Sequence, residues 1–187
     1  MVSATKEALV LLSGGIDSTA CLAFYQSQGF SVSALFVNYG QLSAQLEEEA
    51  ASAICQHYRV PFQTTAFSGL RQRAGGYIPG RNAFLLYTAL LAFRSDTGVI
   101  SIGIHSGTTY QDCSEEFVKD LQSSFDLYTD GRICIGAPFL RWNKLEIWHY
   151  SQNAGVPLHL TYSCELGLPQ PCGKCLSCKD VEALHAR

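Results

Sequence analysis

A short apolar run, Ala8 to Leu12, stops at Ser13-Gly14-Gly15-Ile16-Asp17-Ser18, and a helix-like segment follows from Ser18 to Gln28 before Gly29. Strand, glycine turn, then helix restricts the chain to folds in which helices cross over a parallel sheet. The unit repeats. Ser31 to Val37 is a second apolar run, and Leu42, Leu46, Ala50 and Ile54 mark one face of a helix ending before Pro61. Further strands are predicted at Phe62 to Ala66, Val99 to Ile104 and Arg132 to Ile135, with helices at Asn82 to Arg94, Ser114 to Asp126 and Asn143 to Ala154. The expected fold is α/β, a Rossmann-like, doubly wound parallel sheet of about five strands. In the last of those helices Asn143 is placed to cap and Glu146 to complete a capping box, which puts Lys144 in the first turn. Arg71 to Gly80 is glycine-rich and lacks a period, predicting a mobile loop near the site.

The turn after the first strand carries chemistry. Paired glycines let the backbone approach a ligand closely, and the helix that follows offers unpaired N–H groups and a positive dipole end to an anion. Ser13, Ser18 and Thr19 add hydroxyls, and Asp17 is placed to orient the loop or to help hold magnesium. On spacing alone an ordinary strand-to-helix turn competes with this reading. The order Ser-Gly-Gly-x-Asp-Ser resembles the PP-loop of N-type ATP pyrophosphatases. A Walker loop is excluded, because no lysine precedes Ser18-Thr19. The resemblance implies cleavage of ATP between its α and β phosphates.

With 187 residues, nearly half apolar, the chain can bury one sizeable core. Its 13 Lys plus Arg against 16 Asp plus Glu give a net charge near −3, which offers no global attraction for a nucleic acid, so no direct nucleic-acid partner is expected. The start of the chain lacks a signal-peptide pattern, and the longest apolar stretch, Ala83 to Phe93, is far short of the roughly 20 residues that span a bilayer. A cytoplasmic protein without a membrane segment is expected.

Eight cysteines in a chain of this size and aliphatic content predict reduced thiols rather than a disulfide scaffold. Cys164, Cys172, Cys175 and Cys178 bring four soft ligands within reach of one tetrahedral ion, with Gly173 in the tight turn. A structural zinc fits this spacing; an iron–sulfur cluster and a redox dithiol remain open. The division expected is a body over 1–160 and a metal-binding segment over 161–187 packed on it. Cys21, Cys55, Cys113 and Cys134 are predicted to be small buried hydrophobes.

The PP-loop together with Ser163-Cys164 and Cys172-Gly173-x-Cys175-x-x-Cys178 resembles the 7-cyano-7-deazaguanine synthase family, QueC. Tyr39-Gly40-Gln41, Ile78-Pro79-Gly80-Arg81-Asn82, Tyr110-x-Asp112-Cys113-x-x-Glu116-Phe117 and Pro138-Phe139 with Lys144 fall in family order. The resemblance implies an enzyme that adenylates the carboxylate of 7-carboxy-7-deazaguanine with ATP and magnesium, then couples it to ammonia as amide and finally nitrile. It implies catalytic roles for Ser13, Asp17, Ser18 and Lys144, and nucleotide binding by Ser13, Gly14, Gly15, Asp17, Ser18, Thr19, Val37 and Lys144. Tyr39, Gln41, Arg81, Asn82, His105, Tyr110, Asp112 and Glu116 are the expected substrate residues. It also implies zinc on the four C-terminal cysteines and a homodimer.

The chain departs from the family pattern at several points. Asn38 stands where the family has Asp, Leu42-Ser43 replaces Arg-His, and the segment between Leu70 and Tyr77 is short. Gly103-Ile104-His105 replaces Gly-Val-Asn, and Gln111 and Ser114 replace a Pro and an Arg. These positions put the acceptor half in question, so a divergent paralogue that joins the deazaguanine to a protein amine, in an antiviral defence system, is the alternative. Two other classes are weighed. A tRNA-modifying PP-loop enzyme would need a basic surface or an added domain, and a non-enzymatic binding module would not retain Asp17, Ser18 and Lys144.

Overall fold

The computed structural model describes residues 6–69 and 77–186. Residues 71–76 of the loop predicted near the site lie outside the described residues. Strands β1 (Glu7–Leu11), β2 (Ser31–Asn38), β3 (Phe62–Ala66), β4 (Gly98–Ser101) and β5 (Ile133–Gly136) pair in parallel in the order β3-β2-β1-β4-β5. Helices α1 (Ile16–Ser27), α2 (Ala44–Tyr58), α3 (Arg81–Ala92), α4 (Glu115–Thr129), α5 (Lys144–Asn153) and α6 (Leu176–His185) complete the fold.

β1 is apolar from Ala8 to Leu11 because both its faces are covered there. Ala8, Val10 and Leu12 join Ala20, Leu22, Ile54 and Ile147 on one side, while Leu9 and Leu11 join Leu86, Ile100 and Phe125 on the other. Successive residues of a strand point to opposite faces, so an uninterrupted apolar run is what a doubly covered central strand requires. Each fully buried leucine contributes about 1.5–3 kcal/mol. The chain winds outward from β1 through β2 to β3, then returns to lay β4 on β1's other side. That reversal opens a crevice beyond the carboxyl ends of β1 and β4, the usual ligand position in open α/β sheets.

Three sequence expectations change. The fourth strand ends at Ser101 rather than running to Ile104: Ile102 still donates to the Gly136 carbonyl at 2.9 Å, but Ile104 turns back onto the Ile102 carbonyl at 3.1 Å. Cys134 is exposed, not buried, because it points outward from the edge strand β5; Cys21, Cys55 and Cys113 are buried as predicted. Finally, a helix the sequence pattern did not reveal, α6, follows the cysteines and packs Val181 and Leu184 against Ile16, Leu145 and Trp148. Helix α6 is thereby seated on the start of α1. Among the described residues no helix is long and apolar enough to cross a membrane.

Candidate active site

The loop between β1 and α1 is shaped by Gly14, whose φ is +76° and whose Cα faces α2 so closely that a Cβ would lie 2.7 Å from the Glu47 carbonyl. Its hydroxyls organise the turn. The Ser18 Oγ accepts from the Ser13 N–H at 3.2 Å and donates to the Gly15 carbonyl at 3.1 Å, and the Thr19 Oγ1 donates to that carbonyl at 2.7 Å. Ser13 itself is exposed at the mouth, with its Oγ 3.1 Å from that of Ser18. α1 begins at Ile16, and Gly15 before it offers no side-chain cap, so the N–H groups of the first turn are left for a ligand.

Two residues distant in sequence complete the mouth. The capping box of Asn143 and Glu146 forms as predicted and fixes Lys144 as the first residue of α5. Its Nζ reaches the Asp17 Oδ2 at 2.5 Å, with both side chains largely buried. The other oxygen, Asp17 Oδ1, is buried with no hydrogen-bond partner among the described residues. An unpartnered carboxylate oxygen beside an anion loop fits a hard divalent cation such as magnesium. His105, in the loop after β4, brings its Nε2 to 3.8 Å from Asp17 Oδ2.

Gly103 sits where β4's extension meets the start of α1, and a Cβ there would stand 2.8 Å from the Ser18 backbone nitrogen. Gly103→Ala is therefore expected to cost about 1–3 kcal/mol in urea unfolding. It should also weaken ATP binding by displacing the first turn of α1; unchanged nucleotide affinity would separate that turn from the nucleotide site.

A second group of side chains lies around the starts of α3 and α4. Tyr39 lies near Arg81: burial raises the phenol's pKa, and the guanidinium opposes that shift. The Asn82 Oδ1 accepts from Arg81 at 3.3 Å, and its Nδ2 donates to the Asp112 carbonyl at 3.0 Å. Tyr110 stacks on Tyr77, with ring centroids 5.2 Å apart. Gln41 instead ties its own loop together: it accepts from the Tyr39 N–H and donates to the Val37 carbonyl and to Glu47. Glu116 is exposed in the first turn of α4, and neighbouring Glu115 pairs with Arg141. Two of the departures from the family pattern have local structural roles here: the Asn38 Oδ1 accepts from the Gly40 N–H, and Ser114 caps α4 by accepting from Phe117.

The four C-terminal cysteines converge, with all their sulfurs within 4.8 Å of one another and Cys172 and Cys178 3.8 Å apart. A tetrahedral ion about 2.3 Å from each sulfur requires sulfur separations of about 3.8 Å. A four-iron cubane, whose cysteines bind different irons, needs wider spacing. The Cys172 Sγ accepts from the Lys174 and Cys175 N–H groups, which holds that thiol below its usual range. Burial opposes ionisation of Cys164, yet donors from Cys172, Leu166 and Leu168 bring it to about 6, while burial pushes Cys178 up to about 12. The Tyr162 N–H, just before the cluster, donates to the Gly14 carbonyl at 2.9 Å, tying the cysteine segment to the loop after β1.

The family model described as "Queuosine biosynthesis protein QueC" matches residues 7–76 and 71–184. The chain belongs to the QueC family. QueC-family relatives include a 7-cyano-7-deazaguanine synthase of Campylobacter jejuni, 30% identical over 93% of this chain and 91% of its own. The 7-cyano-7-deazaguanine synthase 2 of Desulfitobacterium hafniense is 34% identical over 92% and 85%. The alignment with the first extends over 203 positions, more than the 187 residues of this chain, so that relative carries residues this QueC-family member lacks. The fold is also shared with the U34-tRNA thiolase NcsA of Methanococcus maripaludis, solved with a 4Fe–4S cluster (TM-score 0.59, 16% identity, 99% of this chain and 66% of that one). NMN synthetase from Francisella tularensis is a further structural neighbour (TM-score 0.52, 14% identity, 98% and 79%). At such identities the likeness is one of fold.

Proposed function

We propose that this chain adenylates the carboxylate of 7-carboxy-7-deazaguanine and couples the activated acid to ammonia, forming the amide and then 7-cyano-7-deazaguanine. The observation that carries the reading is the meeting of Asp17 and Lys144 at the uncapped start of α1, supported by membership of the QueC family.

A carboxylate is a poor electrophile until one oxygen becomes part of a good leaving group. In the first step a carboxylate oxygen attacks the α-phosphorus of ATP, the bond to the bridging oxygen of the β-phosphate breaks, and pyrophosphate leaves. Negative charge grows on that pyrophosphate, where the first-turn N–H groups of α1, the exposed Ser13 hydroxyl and the Lys144 ammonium would receive it. Magnesium would supply further charge neutralisation, with Asp17 Oδ1 as the protein oxygen available to hold it. Ammonia then attacks the acyl carbon and AMP departs, and activation of the amide oxygen by a second ATP permits dehydration to the nitrile.

For the deazaguanine, the group formed by Tyr39, Arg81, Asn82 and Asp112 is the proposed binding surface. Arg81 offers a cation to the carboxylate and Tyr110 with Tyr77 offers ring faces to the heterocycle. The cysteine site is proposed to hold one structural zinc.

Mass spectrometry of a reaction with ATP, 7-carboxy-7-deazaguanine and ammonium should show the amide or the nitrile. AMP formation without either would exclude ammonia and direct attention to a protein amine, whose acylation by the deazaguanine the same instrument would detect.

A further inference from the structure

Lys144 holds Asp17 Oδ2 at 2.5 Å, and Oδ1 of the same carboxylate has no hydrogen-bond partner among the described residues. If Lys144 turned toward the phosphates with nothing in its place, a largely buried carboxylate would lose its charged hydrogen bond, a strongly unfavourable change. The structure supplies a substitute. The His105 Nδ1 accepts a hydrogen bond from the Gly107 N–H at 3.1 Å, which requires that nitrogen to carry no proton. The imidazole is therefore the neutral tautomer with its hydrogen on Nε2.

That Nε2–H faces Asp17 Oδ2 from 3.8 Å, outside hydrogen-bond range, and donates to no other described residue. Its ring is held firmly. It is buried, and a Cβ on Gly107 would stand 2.8 Å from Nδ1. The loop is pinned by the Ser106 N–H on the Leu140 carbonyl at 2.8 Å. Asp17 from α1, Lys144 from α5 and Asp180 from α6 are the charged groups that bear on the ring. An approach of about 1 Å would bring Nε2 and Oδ2 to hydrogen-bond distance.

We propose that His105 is a positioning residue: its Nε2–H takes over Asp17 Oδ2 when Lys144 swings to the phosphates, keeping the carboxylate in place through the phosphoryl step. The donor that Lys144 gives up is replaced without adding a second positive charge to the pair, so the ammonium is released to the nucleotide. This inference rests on the adenylating reading of the same site.

Two measurements test it. Nitrogen-15 NMR of histidine-labelled protein, with His105 assigned from the His105→Gln variant, should show the Nε2-protonated tautomer. Adding magnesium and a non-hydrolysable ATP analogue should move the Nε2 proton downfield as the new hydrogen bond forms. An Nδ1-protonated ring, or a signal unmoved by bound analogue, would overturn the proposal. In kinetics, His105→Phe keeps a ring without the donor and should lower kcat about 10- to 100-fold with little change in KM for ATP, while His105→Gln, whose amide restores a donor, recovers most of the loss. In a Lys144→Ala background, where His105 is left as the described donor nearest Asp17 Oδ2, His105→Phe should cost at least as much as in the unaltered protein. Equal losses in the Phe and Gln variants, or a loss that disappears in the Lys144→Ala background, would reduce His105 to a packing residue. If the unaltered protein shows no substrate-dependent pyrophosphate chemistry, the adenylating reading fails by itself, and the NMR response to the nucleotide analogue still decides the role of His105.

Discussion

Lys144→Ala is expected to lower kcat for pyrophosphate release by about 100- to 1,000-fold, the usual consequence of removing one donor from developing transition-state charge. KM for ATP should change much less, because the first turn of α1 and the exposed Ser13 hydroxyl still bind the phosphates in the ground state. The variant also leaves Asp17 without its cation. Since both side chains are about three-quarters shielded from solvent, a stability loss of about 1–3 kcal/mol lies between the values for exposed and buried pairs. Steady-state kinetics beside urea denaturation separates the two effects. A uniform rise in KM with kcat intact would show that Lys144 only binds ATP, and an unchanged kcat/KM would remove it from the chemistry.

Stripping the metal from the cysteine site should have the largest effect on stability. The four sulfurs converge in a segment whose backbone donates to Gly14 and whose helix packs on Ile16, so an ion bound there would support the loop after β1 as well as the tail. Chelation, or Cys178→Ser, is expected to lower Tm by about 10 °C, corresponding to about 3–5 kcal/mol at roughly 2–4 °C per kcal/mol. KM for ATP should rise in parallel, and zinc added back to the chelated protein should restore both. Elemental analysis is expected to give about one zinc per chain. Iron with acid-labile sulfide, or a chelated protein with unaltered Tm and KM, would contradict this role.

Much of the fold was legible because its signals are local. The β1 run, the Gly14-Gly15 turn and the capping box of Asn143 and Glu146 each depend on residues a few positions apart. Helix α6 was not legible. Its apolar residues Leu176, Val181 and Leu184 are sparse, and the ones that pack do so against Ile16 and Trp148, contacts no local period records. The overlong fourth strand had a similar cause: Ile102 and Ile104 are apolar because they are buried, but they lie beyond the strand, where Gly103 passes against α1.

Within the site, the cysteines stand out by residue type and spacing, since metal ligation demands particular side chains close together, whereas spacing alone left the loop open to an ordinary turn and the roles expected of the loop and of Lys144 came from the family resemblance. The sequence singled out His105 but could not place it against Asp17, because that approach depends on β1 and β4 being neighbours. Gln41 shows the converse. Its motif pointed to substrate, whereas its amide is engaged with Tyr39, Val37 and Glu47 inside its own turn.

Transfer of AMP to a deazaguanine carboxylate at the Asp17–Lys144 mouth is the step on which the proposed function stands. Exchange of labelled pyrophosphate into ATP tests it directly, since exchange requires a reversible adenylation step. Exchange should appear when 7-carboxy-7-deazaguanine is added and fall by at least two orders of magnitude, roughly, in Asp17→Asn. Exchange that ignores the deazaguanine acid, or that survives Asp17→Asn at the original rate, would contradict it.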